Sequence, residues 1–313
     1  MANLFKKEFW KKIPKLLMAT FNGFSDDKGL KLSASLAYYT IFSIGPLLLL
    51  LMSLASVIYG QAAIEGKVFG QLNGLLGSSA AKQIQEIIKN VQFSGKTKFA
   101  LVISIITLIV GATSLFIEIQ DSLNMIWKLK AKPKKGWVAF LKNRLLSSSL
   151  IISLGFLLIV TLIVNGVIEA LMSRLGALFG SATAIIMIII NLFITFVVIT
   201  VLFSIIFKFL PDAKIRWKHV RTGAIFTAIL FMIGRYLIGL YIQKTGTEST
   251  YGAAGSIVII LIWIYYSSVI LYLGAEFTQV YTDSIGGHIE PAEYAVHVQQ
   301  TEVEKEVSVL PAQ

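Results

Sequence analysis

The chain of 313 residues contains no cysteine, only three histidines and only 14% charged residues. Without cysteine it has neither a disulfide framework nor a thiolate metal site. His219 lies in a basic segment, His288 and His297 lie near the C-terminus, and no pair of them has the spacing of metal ligands. No glycine-rich phosphate loop follows a strand, and no ATP-binding motif is present, so active transport by this chain would draw on a gradient or a partner. The scarcity of charge, with 56% hydrophobic residues and a mean hydropathy of +0.75, excludes a soluble globular domain.

Long apolar runs take the place of those features. A hydrocarbon core about 30 Å thick needs about 20 helical residues. The segments Ala34–Tyr59, Phe99–Ile119, Leu146–Ile168, Thr183–Phe207, Arg221–Ile242 and Gly255–Val280 all reach that length. The expected fold is therefore an all-α, polytopic integral membrane protein with six transmembrane helices. Residues 1–30 form an N-terminal arm, residues 31–283 the membrane domain, and residues 284–313 an acidic tail expected to be flexible and cytoplasmic.

The net charge of +11 is concentrated in alternate connections. Lysine and arginine number seven before Leu32, seven between residues 120 and 145, and five between 208 and 221. The connection after the third run carries only Arg174, and that after the fifth only Lys244. By the positive-inside bias both termini are expected in the cytoplasm, and the same bias accounts for the basic charge without a nucleic-acid partner.

The N-terminal arm does not read as a cleaved signal. Phe5, Phe9, Trp10, Ile13, Leu17, Phe21 and Phe24 recur at helical spacing opposite the lysines, which describes an amphipathic helix lying in the cytoplasmic interface, bent at Pro14. Gly45 and Pro46 interrupt the first run after a polar stretch that holds Tyr38 and Tyr39. The segment 60–98 shows two stretches of helical spacing and is expected to form short external helices. No internal repeat is visible, so the sequence gives no support to inverted halves.

Polar residues at membrane depth are the candidate functional groups. Arg235 lies about 10 Å inside the external end of the fifth run, and Asn191 lies at a similar depth in the fourth. An arginine there takes as its acceptor Asn191, a backbone carbonyl, a lipid phosphate or a substrate anion. Towards the cytoplasmic side, Glu118, Asp121 and Asn124 end the second run, Glu276 ends the sixth, and Tyr38 and Tyr39 begin the first. A carboxylate at that level either carries a proton or pairs with Lys128 or Arg144. Trp127, Trp137, Trp217, Tyr241 and Tyr281 fall near run ends and fit an interfacial aromatic belt. Trp263, Tyr265 and Tyr266 fall inside the sixth run, and with Tyr251, Gly252 and Gly255 just ahead that helix reads as tightly packed at its beginning, its small residues allowing close backbone approach.

Several of these segments together resemble one family. They are Leu36-Ala37-Tyr38-Tyr39-Thr40-Ile41-Phe42-Ser43 followed by Pro46, Leu123-Asn124-Met125-Ile126-Trp127, Phe209-Leu210-Pro211-Asp212, and Tyr251-Gly252-Ala253-Ala254-Gly255 leading to Trp263-Ile264-Tyr265 and Leu273-Gly274-Ala275-Glu276-Phe277. In order and spacing they are similar to the YihY/virulence factor BrkB family of bacterial inner-membrane proteins, over about residues 15 to 283. The resemblance implies six membrane helices, an inner-membrane location and no established reaction. Members have also been labelled ribonuclease BN; this chain lacks the clustered histidine and carboxylate ligands that metal-dependent RNA cleavage needs.

The resemblance favours a lipid-related role, and the expectation taken with it is a transporter or flippase-like protein for a lipid or another amphipathic anion, with membrane lipids as its partners, no cofactor and no metal. Arg235 and Asn191 would hold the anionic group, with Tyr38, Tyr39 and Tyr251 along the path. Glu118, Asp121 and Glu276 would form a proton or counter-ion site. The alternative is a membrane scaffold for envelope-assembly partners that moves nothing. An enzyme is not expected, because spacing assembles no nucleophile, base and orienting group. The sequence assigns no oligomeric state.

Overall fold

The structure, a computed structural model, describes residues 7–43, 69–70, 81–82, 85, 114–132, 181–245 and 255–299, except for the side chains at 7–12, 181–188, 242–245 and 255–256. Helix α1 spans Lys7–Asp26, α2 residues 29–43 and α3 residues 114–126; α4 is Ser181–Phe209, α5 Trp217–Thr245 and α6 Gly255–Ser284. Among the described residues four short strands accompany them: β1 Leu129–Ala131, β2 Ala213–Lys214, β3 Glu290–Pro291 and β4 Ala295–His297.

The segments Ile189–Phe209, Trp217–Tyr241 and Ile257–Ser284 of α4, α5 and α6 are long and apolar enough to cross a membrane. They match the fourth, fifth and sixth runs of the sequence. Their outward faces carry Ile189, Phe193 and Val201 on α4 and Ile225, Ile229 and Leu237 on α5, all exposed. Faces of that apolarity belong against hydrocarbon rather than water. Of the other runs, α2 covers the start of the first, and α3 takes in the end of the second and continues to residue 126. The third run, the Gly45–Pro46 interruption and most of the segment 60–98 lie outside the described residues.

Helix α6 is the centre of the described bundle, with α5 on one side and α1 on another, while α4 packs on α5. Glycine and threonine alternate across the α5–α6 contact. A methyl group added at Gly223 would overlap the Thr278 side chain, and one added at Gly274 would overlap Thr227. Each threonine turns its hydroxyl back onto its own helix: Thr227 Oγ1 donates to Gly223 O at 2.8 Å and Thr278 Oγ1 to Gly274 O at 2.7 Å. The hydroxyls are thus satisfied internally, and the backbones approach across faces made small by glycine. Farther along the pair, Gly234 receives Tyr266, and Trp263 packs edge-on to Phe231 at 6.4 Å between centroids. Trp263 and Tyr266 of the sixth run are thus packing residues, whereas Tyr251 and Gly252, at the start of that run, lie outside the described residues.

Two of the expected belt aromatics are core residues instead. Trp127 is 1% exposed; it sits beside Phe207, and its Nε1–H donates to Ala275 O at 3.1 Å. Tyr281 is buried and stacks on Phe277. Both lie at helix ends, where an indole or phenol serves either a belt or a buried core, and here the neighbouring helices close over them. Trp217 and Tyr241 remain exposed.

The polar end of the bundle departs most from an all-helical expectation. Strand β1 pairs antiparallel with β4, with Leu129 opposite His297 and Ala131 opposite Ala295; β2 pairs antiparallel with β3, with Ala213 opposite Pro291. Backbone bonds from Lys132 N to Tyr294 O at 2.7 Å and from Val298 N to Lys128 O at 2.9 Å extend the first pairing. The described part of the segment expected as a flexible tail, up to residue 299, therefore folds back and buries Ile289 and Ala295; residues 300–313 lie outside the described residues. The reason is local: the chain leaving α3 and the chain leaving α4 both present unpaired backbone groups at this end, and the returning tail satisfies them.

Gly223→Leu and Gly274→Leu are each expected to lower stability by about 1–3 kcal/mol through overpacking. Gly239→Ala, at a helical position with nothing near its added methyl among the described residues, is expected to be neutral or to stabilise by up to about 1 kcal/mol. Denaturation of the three variants in mixed micelles checks the contrast.

Candidate functional site

Among the described residues two regions hold the candidate polar groups. The first is the strand-bearing end, organised by Asp212. This residue follows Pro211 in the connection from α4 to α5 and is 4% exposed. Its carboxylate accepts Gln120 Nε2–H at 2.9 Å on Oδ1 and Asn124 Nδ2–H at 2.8 Å on Oδ2, and its own N–H donates to Asn124 Oδ1 at 2.8 Å. Gln120 and Asn124 stand four residues apart on α3 and so share a face. The Asp212 carbonyl accepts Ala292 N–H at 2.9 Å, bringing the returning tail to the same point. Burial, followed by the nearby Asp212 charge, pushes the Tyr294 phenol up to about 12, so it stays neutral at physiological pH.

Beside this cluster, α1 meets α3 and α6. Lys128, in the left-handed conformation that ends α3 with φ 54°, forms an ion pair with Asp27. Glu276 of α6 is 4% exposed; Gly23 of α1 lies against its Oε1, and its Oε2 is buried without a hydrogen-bond partner among the described residues. Glu118 is half-buried and Asp121 exposed on α3. Lys128 thus takes Asp27 as its carboxylate, while Glu118, Asp121 and Glu276 form no ion pair among the described residues.

The second region is the apolar surface of α4 and α5. Arg235 is exposed between Ile233 and Leu237, and makes no hydrogen bond or ion pair among the described residues. Asn191, also exposed, accepts a hydrogen bond from Thr195 Oγ1 at 3.4 Å; no hydrogen bond joins it to Arg235. Tyr38 and Tyr39 are exposed on α2 with their rings edge to face at 5.8 Å, and Tyr38 also touches Phe42. Tyr251 and Arg144 lie outside the described residues.

Sequence reasoning did not single out Asp212, Gln120, Gly23 or Asp27 as site residues. The signal for the first pair was Gln120 and Asn124 at i and i+4 on the end of a span, facing a connection that holds a carboxylate. Among the described residues no group of three or more histidine or carboxylate side chains is placed to hold a metal ion.

Long helices with apolar outer faces and hydrogen-bonded polar groups gathered at one end define a polytopic helical membrane protein. The chain belongs to the family described as virulence factor BrkB, whose family model matches residues 20–296. Relatives include UPF0761 membrane proteins of Pseudomonas aeruginosa (strain LESB58), 27% identical over 253 residues covering 80% of this chain and 59% of the relative, and of Azotobacter vinelandii, 24% identical over 270 residues covering 86% and 62%. The Tolumonas auensis UPF0761 membrane protein is 43% identical over a shorter stretch of 72 residues, 23% of this chain and 24% of the relative. The chain thus spans about three fifths of the length of the first two. No solved structure matches.

Asp212→Ala removes the acceptor of one buried and one half-buried side-chain donor, Asn124 and Gln120, and is expected to cost about 3 kcal/mol. Asn124→Ala is expected to cost a similar amount, and the double variant less than the two together by about 1–3 kcal/mol, since both act on one network. A double-mutant cycle of unfolding free energies measures the coupling.

Proposed function

We propose that the protein is a transporter or flippase-like protein of the bacterial inner membrane that handles a lipid or another amphipathic anion. In this reading it has six spans, both termini are cytoplasmic, and the strand-bearing end with Lys130, Lys132, Lys214, Arg216 and Lys218 faces the cytoplasm by the positive-inside bias. The helix α1 then lies at the cytoplasmic interface.

The observation that carries the proposal is Arg235. It stands six residues inside Tyr241, the end of the α5 span, or about 9 Å along the helix axis, on a surface of Ile233, Tyr236 and Leu237. A guanidinium at that level needs an anion, and with no acceptor among the described residues the anion comes from outside this part of the fold. A phosphate or carboxylate head whose chains lie along the same apolar face satisfies both demands. Tyr38 and Tyr39 line the path, Asn191 adds a polar contact at Arg235's depth, and Glu118, Asp121 and Glu276 serve as the proton or counter-ion site.

A second reading, a scaffold for envelope-assembly partners that transports nothing and catalyses nothing, draws support from the close α5–α6 packing and from the strand pairs that brace the polar end. Vesicles separate the two. The full chain reconstituted in phosphatidylglycerol-containing vesicles is expected to speed translocation of a short-chain fluorescent phosphatidylglycerol over empty vesicles. Arg235→Ala is expected to lower that rate about tenfold, the loss of one charge-assisted contact. A wild-type rate equal to that of empty vesicles, or an unchanged rate in a normally inserted Arg235→Ala protein, contradicts the transport reading.

A further inference from the structure

We propose that Glu276 is a proton-binding site whose occupancy controls the docking of α1 on α6. The inference rests on the reading of Glu276 as a proton-holding residue, and adds to it what the proton does.

The α1–α6 contact is built around this carboxylate. Leu16, Thr20 and Phe24 are buried along one stripe of α1, while Met18 and Phe21 on its other side are exposed. Gly23 falls within the buried stripe, and any side chain there would occupy the position of the Glu276 carboxyl group. Thr20, the nearest hydroxyl along the stripe, is already committed to Leu16 O at 2.8 Å. Glu276 Oε2 is left buried with no donor among the described residues.

The surrounding charges do not repair this. Asp26 and Asp27 from α1, Lys128 from the end of α3 and Asp283 from α6 itself act on Glu276. Lys128 is held by Asp27, and the other two, Asp26 and Asp283, are exposed carboxylates, Asp283 with His288 beside it at 3.7 Å, so none of them gives Glu276 a cation of its own. An ionised Glu276 would be a buried anion with no cation of its own among the described residues, which is unfavourable. A protonated Glu276 leaves the junction neutral at that position and can donate rather than only accept.

Docked α1 thus favours the protonated carboxyl, and by linkage the proton favours docking. Lifting α1 from the stripe uncovers Glu276 to water, where it ionises. Docking is fully present at acid pH and is lost as pH rises and Glu276 releases its proton. In this arrangement α1, an amphipathic arm with Met18 and Phe21 already facing outward, is the moving part and the Glu276 proton is its latch.

The absence of native cysteine makes the test direct. Thr20→Cys places a thiol on the buried stripe, where the native residue is 1% exposed, and Met18→Cys places one on the outward side, at 65%. Each is labelled with a membrane-impermeant maleimide in native membrane discs over an acid-to-alkaline series. Taking the ratio of the two rates removes the intrinsic pH dependence of thiol labelling. The Thr20/Met18 ratio is expected to be low at acid pH, to rise several-fold towards alkaline pH, and to stay low throughout in a Glu276→Gln background. Leu16→Cys, from the same stripe, repeats the measurement should Thr20→Cys perturb the contact. A flat ratio, or the same rise in Glu276→Gln, overturns the coupling. Infrared difference spectra of wild type against Glu276→Gln test the underlying reading separately. A titrating protonated-carboxyl band with a flat labelling ratio would leave Glu276 a proton holder and reject only the control of α1, whereas absence of the band rejects both.

Discussion

The close approach of α5 and α6 is the constraint on which the rest of the described fold depends. Hydrocarbon gives two helices no hydrophobic reason to associate, so contact relies on small residues and dispersion. Gly223 against Thr278 and Gly274 against Thr227 supply such a contact, and the threonines keep their hydroxyls satisfied on their own helices. With α5 fixed on one side, α6 offers its other faces to Trp127, through the Ala275 carbonyl, and to α1, through Glu276. A bulky residue at either glycine would separate the helices and displace everything seated on α6.

The polar end answers a different demand. Where helices stop, backbone groups lose their internal partners, and a buried one left unpaired is costly. Asp212 gathers the end of α3 through Gln120 and Asn124 and the returning tail through Ala292, while the two strand pairs satisfy the connections around it. This end is therefore cross-braced, and its carboxylate is fully engaged. Glu276 and Arg235 differ from Asp212 in that neither has its demand met by the described residues: one carboxylate oxygen lacks a donor, and one guanidinium lacks an anion. The functional proposals rest on those two unmet demands.

The sequence made the long elements legible because their signal is length and apolarity. The helices Ser181–Phe209, Trp217–Thr245 and Gly255–Ser284 fall on the apolar runs read from it, and the N-terminal arm is helical as its periodicity implied. Strands of two or three residues carry no periodicity, so the pairing of the tail with residues 129–131 and 213–214 left no trace in composition. Trp127 looked like an anchor because position along a span says nothing of azimuth around it. For the same reason the shared depth of Asn191 and Arg235 did not mean a hydrogen bond. Asp212 stood in a recognisable motif, but its partners lie 88 and 92 residues away in sequence, a distance over which pattern gives no pairing. Glu276 was legible as a carboxylate at a span end; its seat against Gly23 required the fold.

The most direct test of the account asks whether Arg235 holds an anionic amphiphile. The protein is extracted in native membrane discs, and the lipids and small molecules retained by wild type and Arg235→Ala are compared by mass spectrometry. The account predicts a specific anionic lipid or amphipathic metabolite enriched over bulk membrane in the wild type and lost in the variant. Retention of bulk lipid alone, alike in both samples, would contradict it and make Arg235 a residue of structure rather than of transport.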